Sequence, residues 1–186
     1  MEAGYRVREE RLLRDTHLPT RPDDQRRMDL VAAPGARGVG ARRGVPLFAD
    51  VTVDSVHTMR GDARPSASTT DGGVLGNAVT TKRRRYHDVH NSTQACLLVL
   101  GCETYGRWCD DAIHIVRELA QLKAQQAPPK LRGCAHHAWA NRWWSLIGVG
   151  VQRAIAESLL RHAGVDLQAS APTTPAPALA DVLQDE

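Results

Sequence analysis

The chain has 186 residues, enough for one real hydrophobic core and hardly for two. Its 42% hydrophobic and 24% charged residues are ordinary for a soluble globular protein, and no apolar stretch reaches the length of a bilayer span. The net charge of +3 permits a phosphate-bearing partner without demanding one, so any nucleic-acid case rests on where the charge sits.

Four cysteines, Cys96, Cys102, Cys109 and Cys134, lack a close C-x-x-C pairing. No apolar signal core precedes them in "MEAGYRVREERLLRD", which points to reduced intracellular thiols rather than disulfides or a zinc site. "NST" at 91–93 and "RGD" at 60–62 are motif matches without a secreted context.

In chain order, "REERLLRD" predicts a short helix within a basic leader over 1–25. "MDLVAA" then reads as a short strand ended by the Pro/Gly turn "PGARG". "VPLFADVTVDSV" is the best strand of the chain, apolar on both sides of Asp50, as expected of a buried central strand. "HTMRGDARPSASTTDGG" has the composition of a long, flexible loop, and "VLGNAVTTKRRRYHDV" follows as a helix. "ACLLVLGCETYG" is a second strong strand running into Glu103, and "CDDAIHIVRELAQLKAQQ" a clear amphipathic helix ended by "APPK". Leu131 to about His162 is one long helix, or two joined near Gly148–Gly150. Its Trp139, Trp143, Ile147 and Val151 recur every four residues, a stripe that ordinarily packs on the protein's own core. A Pro/Ala/Thr tail, expected to be disordered, closes the chain. Strands carrying carboxylates alternate with helices, so the expected class is α/β (α+β), a small mixed sheet with flanking helices. The expected organisation is a leader over 1–25, a core over 26–127, a helical segment over 128–163 and a tail over 164–186.

Three acids fall at or beside predicted strands: Asp29, Asp50 and Glu103. Lys82 and Tyr86 lie four apart on one helix face, while Arg83, Arg84 and Arg85 point around the other sides. A buried carboxylate pair is costly unless compensated, and a divalent cation is one compensation. Such an ion activates water and stabilises charge on a phosphate, and a nearby lysine can orient that water. The same residues also have a plain structural reading, with Asp29 as a strand-edge residue, Asp50 paired to an arginine and Lys82 in a solvated charge run.

"RRMDLVAA", "GVPLFADVTV" and "NAVTTKRRRY" together resemble the restriction-like endonuclease domain of LINE-type (non-LTR) retrotransposon proteins, a branch of the PD-(D/E)XK nucleases. The likeness covers about residues 26–106. It implies a PD-(D/E)XK fold in which Asp29, Asp50, Lys82 and Tyr86 form the catalytic set. Asp29 and Asp50 would hold Mg²⁺ or Mn²⁺, and Lys82 would be the catalytic lysine moved from strand to helix. Glu103 is added as a third metal ligand only for its place at a strand end. Met28 stands where the pattern has proline, and Thr52 where a D-x-K lysine would stand. DNA is the implied substrate, contacted by Arg27, Arg42, Arg43, Arg83, Arg84 and Arg85, with Arg26 and Arg37 adding charge. A nuclear location and a reverse transcriptase domain in the parent polyprotein follow from the same likeness. The alternatives are a nucleic-acid-binding module without catalysis and a structural protein acting through its C-terminal helix.

Overall fold

The computed structural model describes residues 6–33 and 44–164. The connection carrying Arg37, Arg42 and Arg43, and the expected tail beyond Gly164, lie outside them. The chain divides into two compact units, residues 1–148 and 149–186. In the second, the described residues are the end of a helix and the turn after it.

The first unit is a mixed α/β layer. Strands β1 (Arg6–Leu12), β2 (Arg27–Ala33), β3 (Leu47–Asp54) and β4 (Cys96–Glu103) lie side by side in that order. β1–β2 and β2–β3 pair antiparallel, and β3–β4 pair parallel. The parallel pair requires a crossover, supplied by α1 (Pro65–Thr69), α2 (Gly73–Arg85) and α3 (His87–His90). Helices α4 (Asp110–Ala124) and α5 (Arg132–His162) follow. The expected class is met at this level.

β1 corrects the leader, where a helix was expected. Arg/Glu spacing in "REERLLRD" suits a helix, but so short a helix is marginal in water. Its side-chain pairs add only about 0.2–0.5 kcal/mol each. As a strand the same segment satisfies the outer edge of β2 and delivers Leu13, fully buried, into the core. Its charged residues then face solvent on an edge, where they discourage pairing with another chain.

One face of the sheet packs Phe48 and Leu97 against Tyr86, Val89, Met28, Leu13 and Leu18. The other packs Leu47, Ala32 and Leu98 under Ile115, Leu119 and Leu122 of α4. A third cluster joins Leu75, Cys109 and Ala112, with Trp108 and Trp144 against it. Gly101 sets how closely α2 approaches the sheet. A Cβ there would stand 2.8 Å from Leu75 Cδ1 and 3.3 Å from Thr52 Cγ2.

Two further expectations change. The segment expected to be a flexible loop after β3 holds a His57–Ala63 bridge and then α1. α5 is one continuous helix, and none of its residues is buried, so the stripe of Trp139, Trp143, Ile147 and Val151 is not core. The indole that packs inward is Trp144, 5.1 Å from the Trp108 ring.

Candidate active site

β3 is buried from Leu47 to Asp50 and then alternates towards solvent, so Asp50 is the last residue of its buried half. It is 3% exposed. Leu75, Val79, Lys82 and Tyr86 recur at helical spacing along α2 and turn towards the sheet. Lys82 Nζ thereby reaches 2.6 Å from Asp50 Oδ2. The ammonium is the cation that compensates this buried carboxylate, and the Tyr86 hydroxyl interacts with the same group. The helix phase that separates Lys82 from its arginine neighbours is thus realised.

Asp29 enters from the adjacent strand. The β2–β3 ladder stops at Leu30–Ala49, and beyond it the Val51 amide donates to Asp29 Oδ2 at 2.6 Å. The β1–β2 ladder is interrupted at the same place, between the pairs Glu9–Leu30 and Arg11–Met28. Glu10, opposite Asp29, takes a left-handed backbone with φ of +47°. That conformation costs a residue with a Cβ about 1–3 kcal/mol, strain of the kind found where a functional side chain is re-aimed. Asp29 and Asp50 both act on the Tyr86 phenol, which is pushed up to about 12 by burial first and then by Asp50. Arg85 opposes the rise, and Asp29 adds a smaller part. Asp50 and Lys82 therefore meet beside Tyr86, while Asp29, on the adjacent strand, is held by the Val51 amide and adds only a small part to the field at the Tyr86 phenol.

Tyr86 sits there as a support. It is 1% exposed, and its hydroxyl donates to the Arg27 carbonyl at 2.8 Å, tying α2 to β2 one residue from the Met28–Asp29 pair. Glu103 is not brought to the site. β4 runs parallel to β3 with Val99 opposite Asp50 and Glu103 opposite Asp54, about 13 Å further along the strands. There it pairs with Arg107 at 3.3 Å. Among the described residues no group of three or more His, Cys, Asp or Glu side chains is placed to share a metal ion.

The arginines divide. Arg84 and Arg85 are exposed on the outer side of α2, Arg85 also lying over the Tyr86 ring at 5.5 Å. Arg27 is exposed and bonds Glu10 at 3.0 Å. Arg83 bridges α2 to Asp111 of α4 at 2.9 Å. Arg42 and Arg43 lie outside the described residues. Arg26 is not a free cation. It joins Asp24, Asp88 and the Arg85 carbonyl, and its guanidinium is raised well above its ordinary value by Asp88 and Asp24. No protein-family model, curated protein or solved structure matches this chain.

Sequence reasoning missed Arg26 as a clamp, because its partner Asp88 lies on another element. It also missed Glu10, whose left-handed backbone has no signature in a run of mixed charge. The arrangement at hand is a buried carboxylate and a half-buried one on adjacent strands, with an ammonium on the first. Asp29 and Asp50 are the residues that could hold a cation there, and Lys82 the one that could reach a phosphate beside them.

Proposed function

We propose that this chain is a metal-dependent DNA endonuclease domain of the PD-(D/E)XK restriction-like type, of retroelement origin, which nicks target DNA. The observation that carries the reading is Asp50. A carboxylate 3% exposed and paired at 2.6 Å with a lysine on the covering helix is expensive to keep for stability alone. Its neighbours Asp29 and Tyr86 occur in the order and on the element types that the sequence likeness implies. Mixed-sheet architecture with flanking helices agrees with that fold.

Mg²⁺ or Mn²⁺ fits the donor set, because such ions take one or two carboxylates and complete their shells with water and phosphate oxygens. Asp29 and Asp50 would hold it. When bound, the ion supplies an activated water and stabilises negative charge developing on the phosphate. Lys82 neutralises Asp50 in the free protein, and in the reaction it would donate a hydrogen bond to a phosphate oxygen or orient the attacking water. Tyr86 positions rather than reacts, since its hydroxyl is committed to the Arg27 carbonyl. Arg84 and Arg85 offer sequence-independent contacts to the DNA backbone. A nuclear location and attachment to a reverse transcriptase domain belong to the same proposal.

The experiment is plasmid nicking with Mg²⁺ or Mn²⁺, comparing wild type with Asp50→Ala. Nicking that requires the ion and vanishes in the variant supports the reading. Nicking that survives the substitution refutes it. The second reading, a DNA-binding module without catalysis, is favoured by the Asp50–Lys82 pair being electrically complete in itself. It predicts salt-sensitive binding that is lost when Arg84 and Arg85 become alanine, with no cleavage under any ion.

A further inference from the structure

Beside the Asp50–Lys82 contact a cleft of about 310 Å³ opens between the end of β3 and helices α1 and α2. Thr52 and Asp54 form its floor, Asn77, Thr81 and Lys82 its helical wall, and Arg64 stands at its edge. Lys82 is the shared element, lining the cleft while touching Asp50. From the endonuclease reading above, we infer that this cleft receives one unpaired nucleotide adjoining the phosphate at Lys82. The protein thereby selects DNA with a base outside the duplex.

The volume suits a single small ligand, at the lower end of roughly 300–1,000 Å³ for ligand pockets. A paired base carries its partner, too large together for a cleft of about 310 Å³, so the nucleotide must be flipped or unpaired. The lining is chosen for a base rather than for a second phosphate. Asp54 Oδ2 accepts the Thr52 hydroxyl at 2.8 Å, and the carboxylate keeps further lone pairs with no proton to donate. It therefore seeks a hydrogen-bond donor. Adenine, guanine and cytosine present exocyclic amino groups, whereas thymine presents one N–H flanked by two carbonyl oxygens that a carboxylate repels. The Asn77 side-chain amide, uncommitted among the described residues, supplies a donor and an acceptor for the rest of the base edge. Arg64 is exposed and has no ion-pair partner among the described residues, which leaves its guanidinium for the phosphate of the inserted nucleotide.

The test is fluorescence anisotropy on three labelled duplexes that differ at one position. One is fully paired, one has a single unpaired adenine, and one has a single unpaired thymine. Ca²⁺ replaces Mg²⁺ so that no strand is cut. Wild type should bind the unpaired-adenine duplex about tenfold more tightly than either of the others, the effect of one or two good hydrogen bonds. Asn77→Trp, at an exposed helix position, fills the cleft and should abolish the preference. Thr80→Trp, exposed on another side of α2 and outside the cleft, should retain it. Equal affinity for all three duplexes overturns the inference, as does a preference that Asn77→Trp leaves intact or that Thr80→Trp also removes. The preference without any Mg²⁺-dependent cutting supports the cleft and sinks the endonuclease reading. Cutting without the preference sinks the cleft alone.

Discussion

Removing the Lys82 ammonium gives the sharpest test of how the site is built. At 2.6 Å and an effective dielectric of about 20, the gross attraction between Lys82 and Asp50 is about 6 kcal/mol. Desolvation of the two ions offsets most of this, so the pair as a whole stabilises the fold little. Lys82→Met is different, because it strands a carboxylate whose side chain is only 4% exposed, with Asp29 nearby. Breaking a buried pair from one side costs about 3–5 kcal/mol, and the 25% exposure of the lysine side chain reduces this to about 2–4. In a chain of this length that lowers the melting temperature by about 5–15 °C. The double variant Asp50→Leu/Lys82→Met, with no stranded charge, should return to within about 1 kcal/mol of wild type or exceed it. Urea melts followed by tryptophan fluorescence and circular dichroism give both numbers. A Lys82→Met cost under about 0.5 kcal/mol, or a double variant as unstable as the single, would refute the description of a buried, Coulomb-compensated acid.

Three other outcomes follow from the packing around the site. Tyr86 keeps its proton in the folded state up to about 12, while in the unfolded chain it ionises near its ordinary value. Its contribution to stability is therefore full below pH of about 10 and is lost between there and about 12. Tyr86→Phe should flatten that alkaline loss in pH-dependent melts and cost about 1 kcal/mol at neutral pH through the abandoned Arg27 carbonyl. Arg26 holds the Asp24 and Asp88 carboxyls below their ordinary range, stability that is present above about pH 4 and lost on acidification. Arg26→Ala should cost about 2 kcal/mol at neutral pH, and the gap to wild type should close in acid melts; a constant gap would mean that the clamp acts by packing. Gly101→Ala should cost about 1–3 kcal/mol by overpacking against Leu75, and Leu75→Ala in the same chain should relieve part of it.

Local pattern carried much of this protein. The β-branched run around Asp50, the apolar strand ending at Glu103 and the helical period of α4 are properties of consecutive residues, and the chain adopts them where they were expected. The four-residue spacing of Lys82 and Tyr86 is equally local, which is why their common face could be read before any fold was known. β1 was not legible, because a mixed run of Arg and Glu satisfies a helix and an edge strand alike until the open side of β2 decides. The fate of each charge was not legible either. Arg26 and Arg83 look like members of one basic class, yet they are spent on Asp88 and Asp111, acids on other elements. Glu103 ends a strand as expected but stands opposite Asp54, because a parallel register carries the end of β4 away from Asp50. Sequence thus determined which residues share a face, through the fixed periods of helix and strand. Only tertiary structure decided which faces meet, through register and crossover. Between those two lies the candidate site, a local Lys82–Tyr86 stripe set onto Asp50 of β3, with Asp29 of β2 bonded to the amide of the next residue.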